Sequence, residues 1–243
     1  MNELKNELKN EPKNVPKNAP KNVPKTDLAS WRPRLAAMAA MAASDADGAQ
    51  DGAHDGTHLE RVWRNAQALL AQHPEADALV VMAACYLHDL VNLPKNDPAR
   101  DQASRRSAQL ARHQLAWMHF PPDRLDAVAH AIEAHSFSAA IPAESLEAKI
   151  VQDADRLDGL GAVGLARMFY IAGRMGSGLA HPQDPLGLAR EFDDRSYALD
   201  HIMVKLARLP DMMQTAGGRA LADERLASLM AFRAAFAAES GAA

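Results

Sequence analysis

Residues 76–90 read ADALVVMAACYLHDL. The run is apolar on nearly every side, so it has no polar stripe to turn towards water. A helix that is hydrophobic all round belongs at the centre of a domain. This one ends in His88-Asp89, which puts two polar groups at the tip of the most buried element. Burying them without partners would be costly, and a metal ion is the first partner that this placement suggests.

Working outward, the neighbouring segments carry helical periodicity. Leu28, Trp31, Leu35, Met38 and Met41 recur at helical spacing and predict a helix over 28–43. A polar, Gly- and Asp-rich loop, SDADGAQDGAHDGT (44–57), follows, and Asp55 or Thr57 can cap the next helix. That helix shows Leu59, Val62, Trp63, Ala66, Leu69 and Leu70 on one face and ends near His73-Pro74. After a loop at 91–102, helices are predicted over 102–119, 122–136 and 143–159, then near 194–209 and 219–238, with fraying at the last residues. The Gly-rich stretch GRMGSGLAHPQDPLG (173–187) reads as a mobile turn or lid. No alternating run of β-branched and aromatic residues bounded by turns is found, and the reading is an all-α fold, a helical bundle.

Residues 1–26, MNELKNELKNEPKNVPKNAPKNVPKT, form an approximate five-residue repeat whose prolines forbid a continuous helix. With almost nothing apolar to bury, residues 1–27 read as a disordered low-complexity tail. Residues 28–238 then form one domain. Hydrophobic residues make up 48 % of the 243-residue chain, enough for a sizeable core. The net charge of −4 gives no reason to expect a nucleic-acid or membrane-surface partner. A single cysteine, Cys85, excludes an internal disulfide and a multi-cysteine zinc site. No run reaches the roughly 18 apolar residues of a membrane span. The N-terminus lacks the apolar centre of a signal peptide, and the expected location is cytoplasmic.

Four groups carry the chemistry: His58 in HLERV, the pair His88-Asp89, and Asp155 in the run IVQDADRLD. His54 is a rival to His58, and Asp153 to Asp155; periodicity does not decide the second case. Imidazole nitrogens and carboxylate oxygens together suit a divalent metal with positions left open for water and substrate. Such a site lowers the pKa of a bound water towards 7 and polarises a phosphoryl oxygen, which is the chemistry of phosphoester or phosphoanhydride hydrolysis.

The order His, His-Asp, Asp resembles the HD-domain superfamily. The resembling pieces are AHDGTHLERVW (53–63), AACYLHDLVNLPKNDP (83–98), AIEAHSFS (131–138), LEAKIVQDADRLDGLGAVGLAR (146–167) and SYALDHIMVKLARLPDMMQTAGGRALADER (196–225). They are most similar to bacterial HD hydrolases that cleave nucleoside triphosphates to monophosphate and pyrophosphate. The resemblance implies an all-α bundle around one divalent ion, manganese first, with magnesium, nickel, cobalt and ferrous iron as alternatives. It assigns the ion to His58, His88, Asp89 and Asp155, because Ala154-Asp155-Arg156-Leu157 matches the last-ligand segment and Arg61-Val62 follows His58 as in the family. Many HD enzymes carry a glutamate soon after the pair; here Leu90, Val91 and Asn92 follow, so that base is missing.

Around the ligands, His135 continues the inward stripe of Leu125, Val128 and Ile132 and is the candidate for acid–base work or phosphate contact, beside Asp89 as the other catalytic group. A core histidine is the alternative. Glu133 is a second candidate to assist. Lys95, six residues past Asp89, and Arg61, three past His58, are candidate phosphate contacts, with a solvated lysine and a salt bridge as the respective alternatives. Lys205 is a weaker candidate of the same kind. Gly173, Gly176 and Gly178 lack the lysine-serine/threonine ending of a P-loop, and Cys85 reads as core packing.

The expected partner is a small-molecule nucleotide, and a homo-oligomer is left open. Competing readings are a nucleotide monophosphatase or a cyclic-nucleotide phosphodiesterase on the same centre, or a non-catalytic HD module that senses nucleotides.

Overall fold

The structure, a computed structural model, describes residues 27–45, 56–93 and 97–241. The N-terminal repeat, most of the 44–57 loop with His54 and Asp55, and Lys95 lie outside the described residues. The described chain is helical, with one isolated parallel β-bridge between Gly178 and Tyr197. Its α-helices are α1 (Leu28–Asp45), α2 (Gly56–Leu70), α3 (Ala78–Leu87), α4 (Ala103–Trp117), α5 (Leu125–His135), α6 (Leu146–Asp158), α7 (Gly161–Arg174), α8 (Asp200–Val204) and α9 (Ala216–Glu239).

The 76–90 run forms α3, and every residue from Leu79 to Leu87 is buried. α3 is the hub of the bundle: α1, α2, α4, α5 and α6 all pack against it. Burial on all sides demands a residue set without a polar face, which is the composition of this segment. Its start is fixed by Asp77, whose carboxylate accepts from Leu79 N (3.0 Å) and Val80 N (3.4 Å), the usual role of an aspartate at this position. Arg124, in the turn before α5, donates to the other oxygen of Asp77 (2.5 Å) and so ties two helix starts together. Around the hub, α2 packs on α6, and α5 on both α4 and α6.

Three expectations are corrected in the second half of the chain. First, the sequence pattern predicts no helix between 159 and 173, yet α7 runs over fourteen residues. Its Gly161 and Gly164 depress helix propensity, but the turn needs them. Gly161 sits at φ +68°, and a Cβ on Gly164 would collide with the carbonyl of Gly159. Second, the helix predicted near 194–209 is only the five-residue α8, followed by single 3₁₀ turns at Leu206–Arg208 and Pro210–Met212. Third, the Gly-rich 173–187 stretch is tied down. Gly178 and Leu179 exchange backbone hydrogen bonds with Ser196, Ala198 and Leu199 at 2.9–3.0 Å, and Asp184 accepts from Leu188 N and Ala189 N, both at 2.9 Å. Buried Asp200, at the start of α8, takes a two-pronged contact from Arg190 (2.5 and 2.8 Å) that anchors the loop leading into α8. Among the described residues no helix is long and apolar enough to cross a membrane.

Candidate metal centre

The functional side chains come from helix ends. His58 lies in the first turn of α2, His88 caps the C-terminus of α3, His135 is the last residue of α5, and Asp155 lies in the last turn of α6. The C-terminal ends of α3 and α5 carry partial negative charge from their unpaired carbonyls, which favours a cation beside His88 and His135.

Each histidine is held by its Nδ1. His88 Nδ1 donates to Cys85 O (3.0 Å) and His135 Nδ1 to Ile132 O (2.5 Å). Both reach back three residues to a carbonyl that the helix end leaves without a partner. A carbonyl only accepts, so Nδ1 carries the proton in each ring and Nε2 keeps its lone pair when the ring is neutral. His58 Nδ1 donates instead to Asp158 Oδ2 (2.8 Å) across the α2–α6 interface. His58 and His88 are 2 % and 1 % exposed, so their orientation is fixed by packing as well.

The inward atoms converge. His58 Nε2 and His88 Nε2 are 3.4 Å apart. Asp155 Oδ1 lies 3.5 Å from the first and 3.7 Å from the second. Asp89 Oδ2 lies 3.5 Å from His88 Nε2, and its other oxygen 3.7 Å from His135 Nε2. Donor atoms bound at about 2.0–2.2 Å to one cation stand roughly 3.0–3.5 Å from one another, so these separations are at or slightly beyond what a shared divalent ion requires. Two overlapping sets, His58–His88–Asp89 and His88–His135–Asp155, bring their ligand atoms within 4.8 Å of one another. Asp89 and Asp155 are about 30 % exposed while the two histidines are buried. The cluster therefore opens to water on its carboxylate side. The donor set, mixed nitrogen and oxygen with an accessible face, fits a hydrolytic divalent metal.

In the bare protein the environment splits the two central imidazoles. Burial pushes His88 below its ordinary value. At His58 burial acts the same way, but the hydrogen bond to Asp158 and the charges of Asp155 and Asp89 prevail and raise it.

Asp153 and Asp155 part company. Asp153, 0 % exposed, accepts from Gln214 N, Thr215 N and Thr215 Oγ1, all at 2.8 Å, and so fastens the start of α9 to α6. A Cβ on Gly218 would run into its carboxylate. Only Asp155 points to the cluster. Arg61 adopts the salt bridge of its two readings, donating to Asp158 through Nε (2.7 Å) and Nη2 (3.1 Å) and to Thr57 Oγ1 (2.7 Å). Glu133 is half-buried on α5, Lys205 is exposed at the end of α8, and Cys85 is buried in the core.

Asp158 is the residue that the sequence reading passed over. It is 2 % exposed and takes hydrogen bonds from His58, Arg61 and Arg167, the last at 2.6 Å from α7. Burial opposes its ionisation, yet hydrogen bonds from His58 and Arg61 and the charge on Arg167 hold its carboxyl far below the ordinary carboxylate range. A permanently charged carboxylate behind an imidazole fixes the ring and raises its basicity towards a metal. The available signal was spacing: Asp155 and Asp158 are three apart on α6, as His58 and Arg61 are on α2, so the two pairs can meet face to face.

An HD domain profile matches residues 55–160, the span from α2 through α6 that contains this cluster. The chain is 36 % identical over 172 residues to the uncharacterized protein YpgQ of Bacillus subtilis, spanning 69 % of this chain and 75 % of that protein. The crystal structure of B. subtilis YpgQ in complex with ADP is similar, with TM-score 0.66 and 29 % identity over 87 % of this chain and 95 % of that one. A structure described as an HD-superfamily hydrolase from Bacillus thuringiensis is similar with TM-score 0.68 and 26 % identity over 88 % and 99 % of the two chains.

Proposed function

The chain belongs to the HD-domain family of metal-dependent phosphohydrolases, and from that premise we propose that it hydrolyses (deoxy)nucleoside triphosphates to monophosphate and pyrophosphate. The observation that carries the proposal is the convergence of His58 Nε2, His88 Nε2 and Asp155 Oδ1 within 3.4–3.7 Å of one another, with Asp89 alongside. His58, His88, Asp89 and Asp155 would hold one divalent cation, with manganese the first choice among metals that accept mixed nitrogen and oxygen donors. When bound, such an ion lowers the pKa of water and polarises a phosphoryl oxygen.

The protein's own groups divide the remaining work. His58 and His88 are held with Nε2 inward by their Nδ1 hydrogen bonds and by burial. His135, buried and 3.7 Å from Asp89, presents an Nε2 lone pair to the same space. It can take a proton from an attacking water or, once protonated, donate to a phosphate oxygen. Lys95, six residues past Asp89 in the sequence, is proposed to balance phosphate charge. In the reaction, water oxygen bonds to the α-phosphorus, the bond from that phosphorus to the bridging oxygen breaks, and pyrophosphate leaves. Nucleotide recognition is supported by the relative crystallised with ADP. A cytoplasmic setting goes with the lone buried thiol and the absence of a disulfide framework.

The test is a panel of nucleoside tri-, di-, mono- and cyclic phosphates with manganese, in which every released phosphate species is identified. Pyrophosphate and monophosphate from triphosphates are expected. Orthophosphate from monophosphates, or ring-opened monophosphate alone, would replace this substrate with another on the same centre. Nucleotide binding without turnover, unchanged in His88→Ala, would mean a sensing module.

A further inference from the structure

Among the described residues, the most exposed aromatic side chain stands beside the centre. Phe137 is 73 % exposed, against 45 % for Trp117 and Tyr170 and 38 % for Phe192. An exposed apolar residue is common on a protein surface and by itself calls for no explanation. Its place in the chain is what sets Phe137 apart. It follows His135 by two residues, and consecutive Cα atoms are about 3.8 Å apart, so its Cα lies within about 7.6 Å of that of His135. His135 in turn presents its Nε2 3.7 Å from Asp89 Oδ1.

The chain leaves α5 at Ser136, whose φ −74° and ψ 127° are extended, and turns at once. Ala140 N donates to Phe137 O (3.4 Å), and the hydroxyls of Ser136 and Ser138 are hydrogen-bonded at 3.0 Å. Phe137 therefore sits on a formed turn directly after the residue that faces Asp89. The cluster meets water through its carboxylates: Asp89, which faces His135, is 31 % exposed and Asp155 29 %. Behind them His58 and His88 are buried. A nucleotide whose phosphates reach the cluster from the carboxylate side therefore leaves its nucleoside at the surface. An exposed aromatic face next to His135 is a surface on which a nucleobase can stack.

We propose that Phe137 stacks on the nucleobase of the substrate while the cluster holds its phosphates. This rests on the nucleotide-directed reading above and names the group that grips the base. A stack reads no hydrogen-bonding edge, so the contact serves purines and pyrimidines alike. It is made equally before and during attack at phosphorus, so it tightens substrate binding without speeding the chemical step. Phe137 is thus a substrate-binding residue, and no proton or bond passes through it.

The experiment measures kcat and KM for dATP with manganese in the wild type, Phe137→Ala, Phe137→Leu and Phe137→Trp. Beside them it measures the inhibition constant of inorganic tripolyphosphate, which has the phosphate chain but no base. Phe137→Ala is expected to raise KM about tenfold, within the worth of a base–aromatic stack, with kcat unchanged. Phe137→Leu, apolar but without a ring, should behave like Phe137→Ala, and Phe137→Trp should bind dATP at least as tightly as the wild type. The tripolyphosphate inhibition constant should be the same in all four proteins. Thermal melts should also agree, because an exposed side chain contributes little to stability. An unchanged KM in Phe137→Ala, a leucine variant as tight as the wild type, or a tripolyphosphate inhibition constant that moves with KM would overturn the inference. A wild-type protein that does not turn over dATP would overturn it together with the proposed function, whereas an active wild type with an unchanged KM in Phe137→Ala would overturn it alone.

Discussion

Replacing Asp89 by alanine is expected to lower nucleotide turnover by at least about a thousandfold while leaving the helical fold intact. The two carboxylate oxygens of Asp89 face different partners, one 3.5 Å from His88 Nε2 and the other 3.7 Å from His135 Nε2. The substitution removes a proposed metal ligand and one of the two negative charges that would balance a dication. It also takes away the group facing the ring proposed to handle the proton. Metal stabilisation of a phosphoryl transition state is worth several kcal/mol, and about 4 kcal/mol corresponds to roughly three decades in rate. The fold should be spared because Asp89 follows α3 and is about 30 % exposed. Circular dichroism and steady-state kinetics on the same preparation check both halves of the expectation. Turnover at the wild-type rate would remove Asp89 from the centre.

The second large effect lies one layer behind the ligands. Asp158→Ala is expected to destabilise the metal-free protein by about 3 kcal/mol. Breaking a buried ion pair from one side costs roughly 3–5 kcal/mol because the opposite charge is left behind. Here Arg61 and Arg167 are 25 % and 19 % exposed, so water relieves part of the loss and the lower end applies. The same change frees His58 Nδ1, and loss of a carboxylate behind a metal-binding histidine typically weakens metal affinity by about 10–100-fold. Asp158→Asn, which keeps an acceptor for Nδ1, should recover part of both. Urea unfolding of the bare protein and a chelator competition titration read the two effects separately. Unchanged unfolding and unchanged manganese affinity would show that the Asp158 contacts carry no weight.

The bundle was legible because its defining segment obeys a rule without exceptions: α3 has no polar face and is buried on all sides. α1, α2, α4, α5 and α6 followed from periodicity and caps. The region after Asp158 was not legible in the same way. α7 is rich in glycines that its turn requires, and the spacing of apolar residues across 194–209 mimics a helix. In the structure, side-chain contacts such as Arg190–Asp200 hold turns there instead. Tertiary contacts overrode local propensity in both places.

At the centre, spacing brought His58, His88, Asp89, Asp155 and His135 under consideration, and the structure brings all five together. It could not tell Asp153 from Asp155, since both lie on a helix with more than one packed face; the answer depends on the start of α9, sixty residues on. Of the two readings of Arg61, the salt bridge has its partner in Asp158, 97 residues away. Pairings at that separation are set by how α2 packs on α6, which no local pattern encodes.

A crystal of the protein grown or soaked with manganese, measured at a wavelength where manganese scatters anomalously, tests the central claim most directly. A single strong anomalous peak is predicted, within about 2.0–2.3 Å of His58 Nε2, His88 Nε2 and one oxygen each of Asp89 and Asp155. A fully loaded crystal whose anomalous peaks all lie elsewhere, with those four side chains bonded only to one another, would contradict it.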